Sequence, residues 1–186
     1  MATILVILAP GAEEIETITI PDVLVRAGQQ VVIASTTDVP VVIGSRGIPL
    51  AAHTLLSLVQ QQTFDVIYLP GGGGAAATHR DDPRIQDLAA AQLAAGRLLA
   101  VICAAPIALV PRGLCRGRRL TSFPGVRAQV EPHCAAWLDQ AVVVDGNLIT
   151  SQSAGTAMAL GLELARMIAG VDVASKVAQD MLATAV

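Results

Sequence analysis

Short apolar runs alternate along this chain with stretches of helical character. Ile4–Leu8, Val31–Ser35, Asp65–Leu69 and Leu98–Ile102 are runs of this kind. An uninterrupted apolar run of such length reads as a strand buried on both faces. Helical character follows over Glu13–Ala27, with Gly28 as its stop, and again from Asp82-Pro83 to about Ala95. Asp as N-cap and Pro at the first helical position mark the second start. Two hairpins are expected: Val41-Val42-Ile43 with Ile48-Pro49-Leu50, and Val142-Val143-Val144 with Leu148-Ile149-Thr150. Thr156–Ala169 reads as an apolar helix for the core or a subunit contact, and Asp172–Ala183 as a last helix capped by Asp172. Strands that alternate with helices imply a mainly parallel sheet covered on both faces.

Composition agrees with one domain over residues 1–186. Hydrophobic residues make up 53% and aromatic residues 2%, so Ala, Val, Leu and Ile must fill the core. A net charge of −3 disfavours nucleic acid as a dedicated partner. No apolar stretch reaches the roughly 18 residues of a membrane span, and the start lacks the charged segment of a signal peptide. Three widely spaced cysteines form neither a disulfide framework nor a zinc pattern. The expectation is a cytoplasmic protein without metal or cofactor.

In a parallel α/β sheet, ligands collect at the carboxyl ends of the strands. Three features fall there: Glu13-Glu14-Ile15-Glu16 after the first strand, Gly71–Gly74 after Leu69, and Cys103 after Ile102. The small residues Ala104-Ala105-Pro106 favour a sharp turn into a helix, whose first amides would stabilise a Cys103 thiolate. A buried, inert thiol is the common alternative. The glycine run reads as a mobile loop on its own; beside a nucleophile, the amides of Gly72 and Ala104 become oxyanion donors. A carboxyl facing Cys103 would have its pKa raised and serve as acid/base, but periodicity does not choose among Glu13, Glu14 and Glu16. His53, His79 and His133 read as surface residues, which disfavours a Cys-His nucleophile pair. Arg112, Arg116, Arg118 and Arg119 read as a solvated loop more readily than as a phosphate patch, and Cys115 within it as a more reactive thiol than average.

Taken in order, Gly11-Ala12-Glu13-Glu14-Ile15-Glu16-Thr17, Arg26-Ala27-Gly28, Leu69-Pro70-Gly71-Gly72, Ala100-Val101-Ile102-Cys103-Ala104-Ala105-Pro106 and Thr150-Ser151-Gln152 resemble the ThiJ/PfpI superfamily over nearly the whole chain. The resemblance implies a flavodoxin-like three-layer α/β/α sandwich with a mainly parallel central sheet and small hairpin additions. It implies Cys103 as nucleophile and oxidation-sensitive thiol, Glu16 as its carboxyl partner, and the amides of Gly72 and Ala104 as anion donors. It further implies a homodimer, with Arg46 reaching the site from the partner, and no cofactor. The activity it implies is glutathione-independent conversion of glyoxal or methylglyoxal, or deglycation of their early adducts. The alternative is an oxidation-sensing redox chaperone whose Cys103 becomes a sulfinate. Where some relatives carry a histidine near the thiol, this chain has Phe123, which leaves proton transfer to Glu16.

Overall fold

The computed structural model describes residues 1–183. In chain order its elements are β1 (Thr3–Leu8), α1 (Glu14–Arg26), β2 (Gln30–Ser35), β3 (Val41–Ile43), β4 (Pro49–Ala51), β5 (Thr54–Leu55), α2 (Leu56–Val59), β6 (Val66–Leu69), α3 (Gly73–Asp81), α4 (Pro83–Ala94), β7 (Leu98–Ile102), β8 (Arg119–Leu120), α5 (Arg127–Val130), β9 (Ala136–Trp137), β10 (Val142–Asp145), β11 (Leu148–Ser151), α6 (Ala157–Ala169) and α7 (Val171–Asp180). Seven strands form one sheet in the order β10-β11-β7-β6-β1-β2-β5. All its neighbours run parallel except the β10–β11 hairpin at one edge.

The buried runs behave as their composition requires. Along β1, Ile4, Val6 and Leu8 join a core with Ile20, Val23 and Leu24 of α1 and Leu160 and Leu164 of α6. The alternate residues Leu5 and Ile7 join the opposite core with Leu56, Ile85 and Ala89. Both faces of the sheet are thus covered by helices, which makes the fold a flavodoxin-like α/β sandwich. Gly161 lets α6 lie close on α1, since a Cβ there would stand 3.1 Å from Val23 side-chain carbons.

The expected hairpins form, with β3 and β4 as a small separate pair. Boundaries differ from the sequence reading, among them the end of α7 at Asp180 rather than Ala183. The glycine run is not one loop: α3 begins at Gly73, a start that glycine's poor helix propensity conceals. After Cys103 the chain makes a single 3₁₀ turn, Ala105–Leu109, rather than a regular helix. Helix α7 is capped by Gly170 at φ +94° rather than by Asp172, which lies in the first turn.

Candidate active site

The first turn of α1 gives three carboxylates three different positions. Glu13 is the N-cap, and its Oε2 accepts the Glu16 N–H at 2.9 Å. Glu14 turns toward the β3–β4 hairpin, where it accepts from Ser45 Oγ at 2.9 Å and from the Arg46 N–H at 2.6 Å. Burial opposes its charge, but these hydrogen bonds hold its carboxyl below the ordinary value. Glu16 points into the sheet edge and has no exposed surface. Its Oε2 accepts the Gly71 N–H at 2.8 Å, while its Oε1 is buried with no hydrogen-bond partner. Tyr68, the one tyrosine of the chain, donates its buried hydroxyl to the Glu16 carbonyl at 3.1 Å.

Cys103 directly follows β7 and lies in the left-handed region, at φ +61°. A non-glycine residue there costs roughly 1–2 kcal/mol and persists only where its surroundings hold it. Two hydrogen bonds do so: the Cys103 N–H donates to Ser151 O at 2.9 Å, and the Phe123 N–H donates to Cys103 O at 2.7 Å. The thiol is half-buried beside the Glu16 carboxyl. Room for this approach comes from Gly71: a Cβ there would lie 2.6 Å from Cys103 Cβ and 2.6 Å from Glu16 Oε2. Gly72 follows at φ +90°, where a Cβ would stand 2.7 Å from the Glu13 nitrogen. The amides of Gly72 and Ala104 face the sulfur.

The electrostatics of the pair depart from the sequence expectation of a readily ionised thiol. Burial, then the Glu16 charge, push Cys103 up to about 12, against the pull of the two amides. Burial raises Glu16 to about 7, against the pull of the adjacent Cys103 thiol and the Gly71 N–H and with the Glu13 charge adding to the rise. Between about pH 7 and 12 the pair therefore holds one proton, on the sulfur, and Glu16 is the carboxylate. A carboxylate in contact with a thiol, with amide donors beside the sulfur, can take the thiol proton as the sulfur attacks an electrophile.

The structure thus brings together Cys103, Glu16, Gly72 and Ala104, and adds Gly71, Tyr68 and Ser151. The lone hydroxyl of Tyr68 in an apolar strand is the available sequence signal; Gly71 opens the glycine run already singled out, and Ser151 acts through its backbone carbonyl, which its side chain does not announce. Arg46 lies on the exposed hairpin, and its side chain makes no hydrogen bond among the described residues, so within one chain it is not joined to the thiol. His53 and His133 are exposed, but His79 is fully buried, contrary to expectation. Cys115 is also fully buried, and burial pushes its thiol up, so it is no exposed reactive cysteine. The nearby arginines are mostly engaged: Arg112 pairs with Asp87, Arg118 donates to Asp145 O at 3.0 Å, and Arg119 pairs with the Asp145 carboxylate. A cavity of about 640 Å³ lined by Arg112, Arg116, His133 and Cys134 includes none of the residues around Cys103.

Known proteins share this arrangement of chain and fold. The model of the DJ-1/PfpI family matches residues 2–167. Protein dj-1beta of Drosophila melanogaster is 41% identical over 96% of this chain and 95% of its own length. Glutathione-independent glyoxalase DJR-1.2 of Caenorhabditis elegans is 35% identical over 89% of this chain and 88% of its own. The structure of oxidized DJ-1 from Toxoplasma gondii superposes with a TM-score of 0.94 at 32% identity, covering 100% of both chains. On this sequence likeness and shared fold, the chain belongs to the DJ-1/PfpI family.

Proposed function

We propose that the protein is a cofactor-free, glutathione-independent glyoxalase acting on glyoxal, methylglyoxal or their early adducts, with Cys103 as nucleophile and Glu16 as acid/base. The observation that carries this reading is the buried Glu16 carboxyl, one oxygen held by Gly71 and the other without a partner, in contact with the thiol. Sulfur attacks the aldehyde carbon as the thiol proton passes to Glu16 and on to the new alkoxide, giving a hemithioacetal. Glu16 then removes the proton on that carbon and returns it to the neighbouring one, while the hydroxyl proton passes to the neighbouring carbonyl oxygen through an enediol, leaving an α-hydroxy thioester. Water hydrolyses the thioester to the hydroxy acid and restores the thiol. The amides of Gly72 and Ala104 stabilise the oxyanion. The glyoxalase name of the Caenorhabditis elegans relative supports the same substrate class. The test is lactate formation from methylglyoxal without glutathione, which Cys103→Ser should abolish; unchanged turnover would refute the assignment.

A second reading has its own support. The same amides and a protonated Glu16 suit a sulfinate at Cys103, and a closely similar structure is described as oxidized. Mass spectrometry after mild peroxide should find Cys103 modified before Cys115 or Cys134. A homodimer fits the exposed Ile15 and Ile18 of α1 and the exposed Ile43 and Ile48 of the hairpin that Glu14 anchors to it. In such a dimer Arg46 would approach the partner's site. Ile18→Glu should convert the dimer to monomer in analytical ultracentrifugation.

A further inference from the structure

The buried histidine has a place in the site. His79 lies on α3 with no exposed surface, and its Nε2 stands 3.1 Å from the Pro70 carbonyl oxygen. A carbonyl only accepts, so Nε2 carries the proton and Nδ1 is left as a bare acceptor. That Nδ1 is buried and has no partner. An orphaned buried acceptor is destabilising, a cost an apolar side chain would not incur.

The Pro70 carbonyl belongs to the same peptide unit as the Gly71 N–H, and that N–H is the donor to Glu16 Oε2 at 2.8 Å. One planar group therefore carries His79 on its oxygen and Glu16 on its nitrogen. Fixing one end fixes the aim of the other. A hydrogen bond accepted at the carbonyl also polarises the unit and strengthens its N–H as a donor. Gln86 ties the arrangement down from the far side, donating to His79 O and Ala108 O at 2.8 Å each. Ala108 lies in the 3₁₀ turn that follows Cys103.

We propose that His79 is a positioning residue for the Cys103–Glu16 pair, acting through the Pro70–Gly71 peptide to hold the Gly71 N–H on Glu16. The proposal rests on the functional reading above for its effect on turnover, but not for its effect on Glu16 itself. Burial keeps His79 neutral down to about pH 4, so the ring donates from Nε2 throughout the working range. The charged neighbour of His79 is Asp82, and the titratable groups facing Glu16 are Glu13, Cys103 and Tyr68.

The test is a titration of the Glu16 carboxyl by carbon-13 NMR in the full chain, assigned by its loss in Glu16→Gln. His79→Leu removes the donor, and the Glu16 midpoint should rise by about half a unit or more. His79→Gln, whose amide reaches the position of Nε2, should return it to the wild-type value. In methylglyoxal turnover, His79→Leu should lower kcat about three- to tenfold with little change in KM, and the pH–rate midpoint should move with Glu16. A folded His79→Leu with an unchanged Glu16 midpoint would overturn the proposal. Should that variant not fold, His79→Asn, too short to reach Pro70, replaces it against His79→Gln, and equal midpoints in those two overturn it as well. Absence of lactate in the wild type would refute the enzymatic reading while leaving the Glu16 midpoint to decide the role of His79.

Discussion

Glu14 and Glu16 stand two residues apart in the first turn of α1, both nearly free of solvent, and their carboxyls are driven in opposite directions. Glu14 meets donors from Ser45, Arg46 and Ile48 and stays below the ordinary value. Glu16 meets one backbone donor and a thiol and rises to about 7. Burial opposes the charge in both; the supply of hydrogen bonds decides the outcome. The carboxyl with its donors supplied fastens a hairpin, and the one left short can exchange a proton.

The largest expected effect comes from removing that proton exchange. Glu16→Gln should lower methylglyoxal turnover by about 10²–10⁴-fold, the usual weight of a positioned acid/base. The same change removes the Glu16 charge, which helps to raise the thiol, so the pKa of Cys103, read from the pH dependence of its alkylation, should fall. A rise would show instead that a protonated Glu16 stabilises the thiolate.

Next in size is Gly71→Ala, whose Cβ would press on both Cys103 Cβ and Glu16 Oε2. Turnover should fall about 10–100-fold through misplacement of the pair, with about 1–3 kcal/mol of stability lost in denaturant unfolding. Wild-type values in both assays would show that the close approach is dispensable.

Stability against pH should separate the two carboxyls by sign. The folded pKa of Glu14 lies below its ordinary 4.5, so its contribution is present above that value and is lost as pH falls through the folded one. Glu16 is raised from 4.5 to about 7, so its contribution is full below 4.5 and is lost as pH rises to about 7. Glu16→Gln should therefore flatten the decline in stability between those values, and Glu14→Gln should flatten the loss on acidification below 4.5. The smallest effect expected is that of Glu14→Gln on activity. The variant should lose about 2–4 °C in Tm through loosened hairpin contacts, yet keep turnover within about threefold, because Glu14 does not touch the thiol.

The fold and the chemistry were not equally legible in the sequence. Continuous apolar runs and caps such as Asp82-Pro83 placed the strands and most helices, because burial on two faces imposes its composition directly. Helix α3 was hidden because Gly73 and Gly74 carry no helical signal, and its formation depends on tertiary packing. Cys103 announced itself by its junction, and Glu16 by resemblance rather than by periodicity, since three glutamates share one turn and only the folded chain distributes them. The raised thiol has no signal in the sequence, which shows the favourable amides but not the depth of burial or the nearness of a charge. His79 reads as a surface residue but is buried: its partner is a backbone carbonyl, and the glycine run before it masks the helix that turns it inward.

The account rests most heavily on Glu16 acting as the base for Cys103. The most direct test is the pH–rate profile of lactate formation from methylglyoxal without glutathione, measured as kcat/KM, with Cys103→Ser as the control. The rate should rise with a midpoint near the Glu16 value of about 7 and vanish in the control. Turnover that is flat across this range, or that survives in Cys103→Ser, would contradict it.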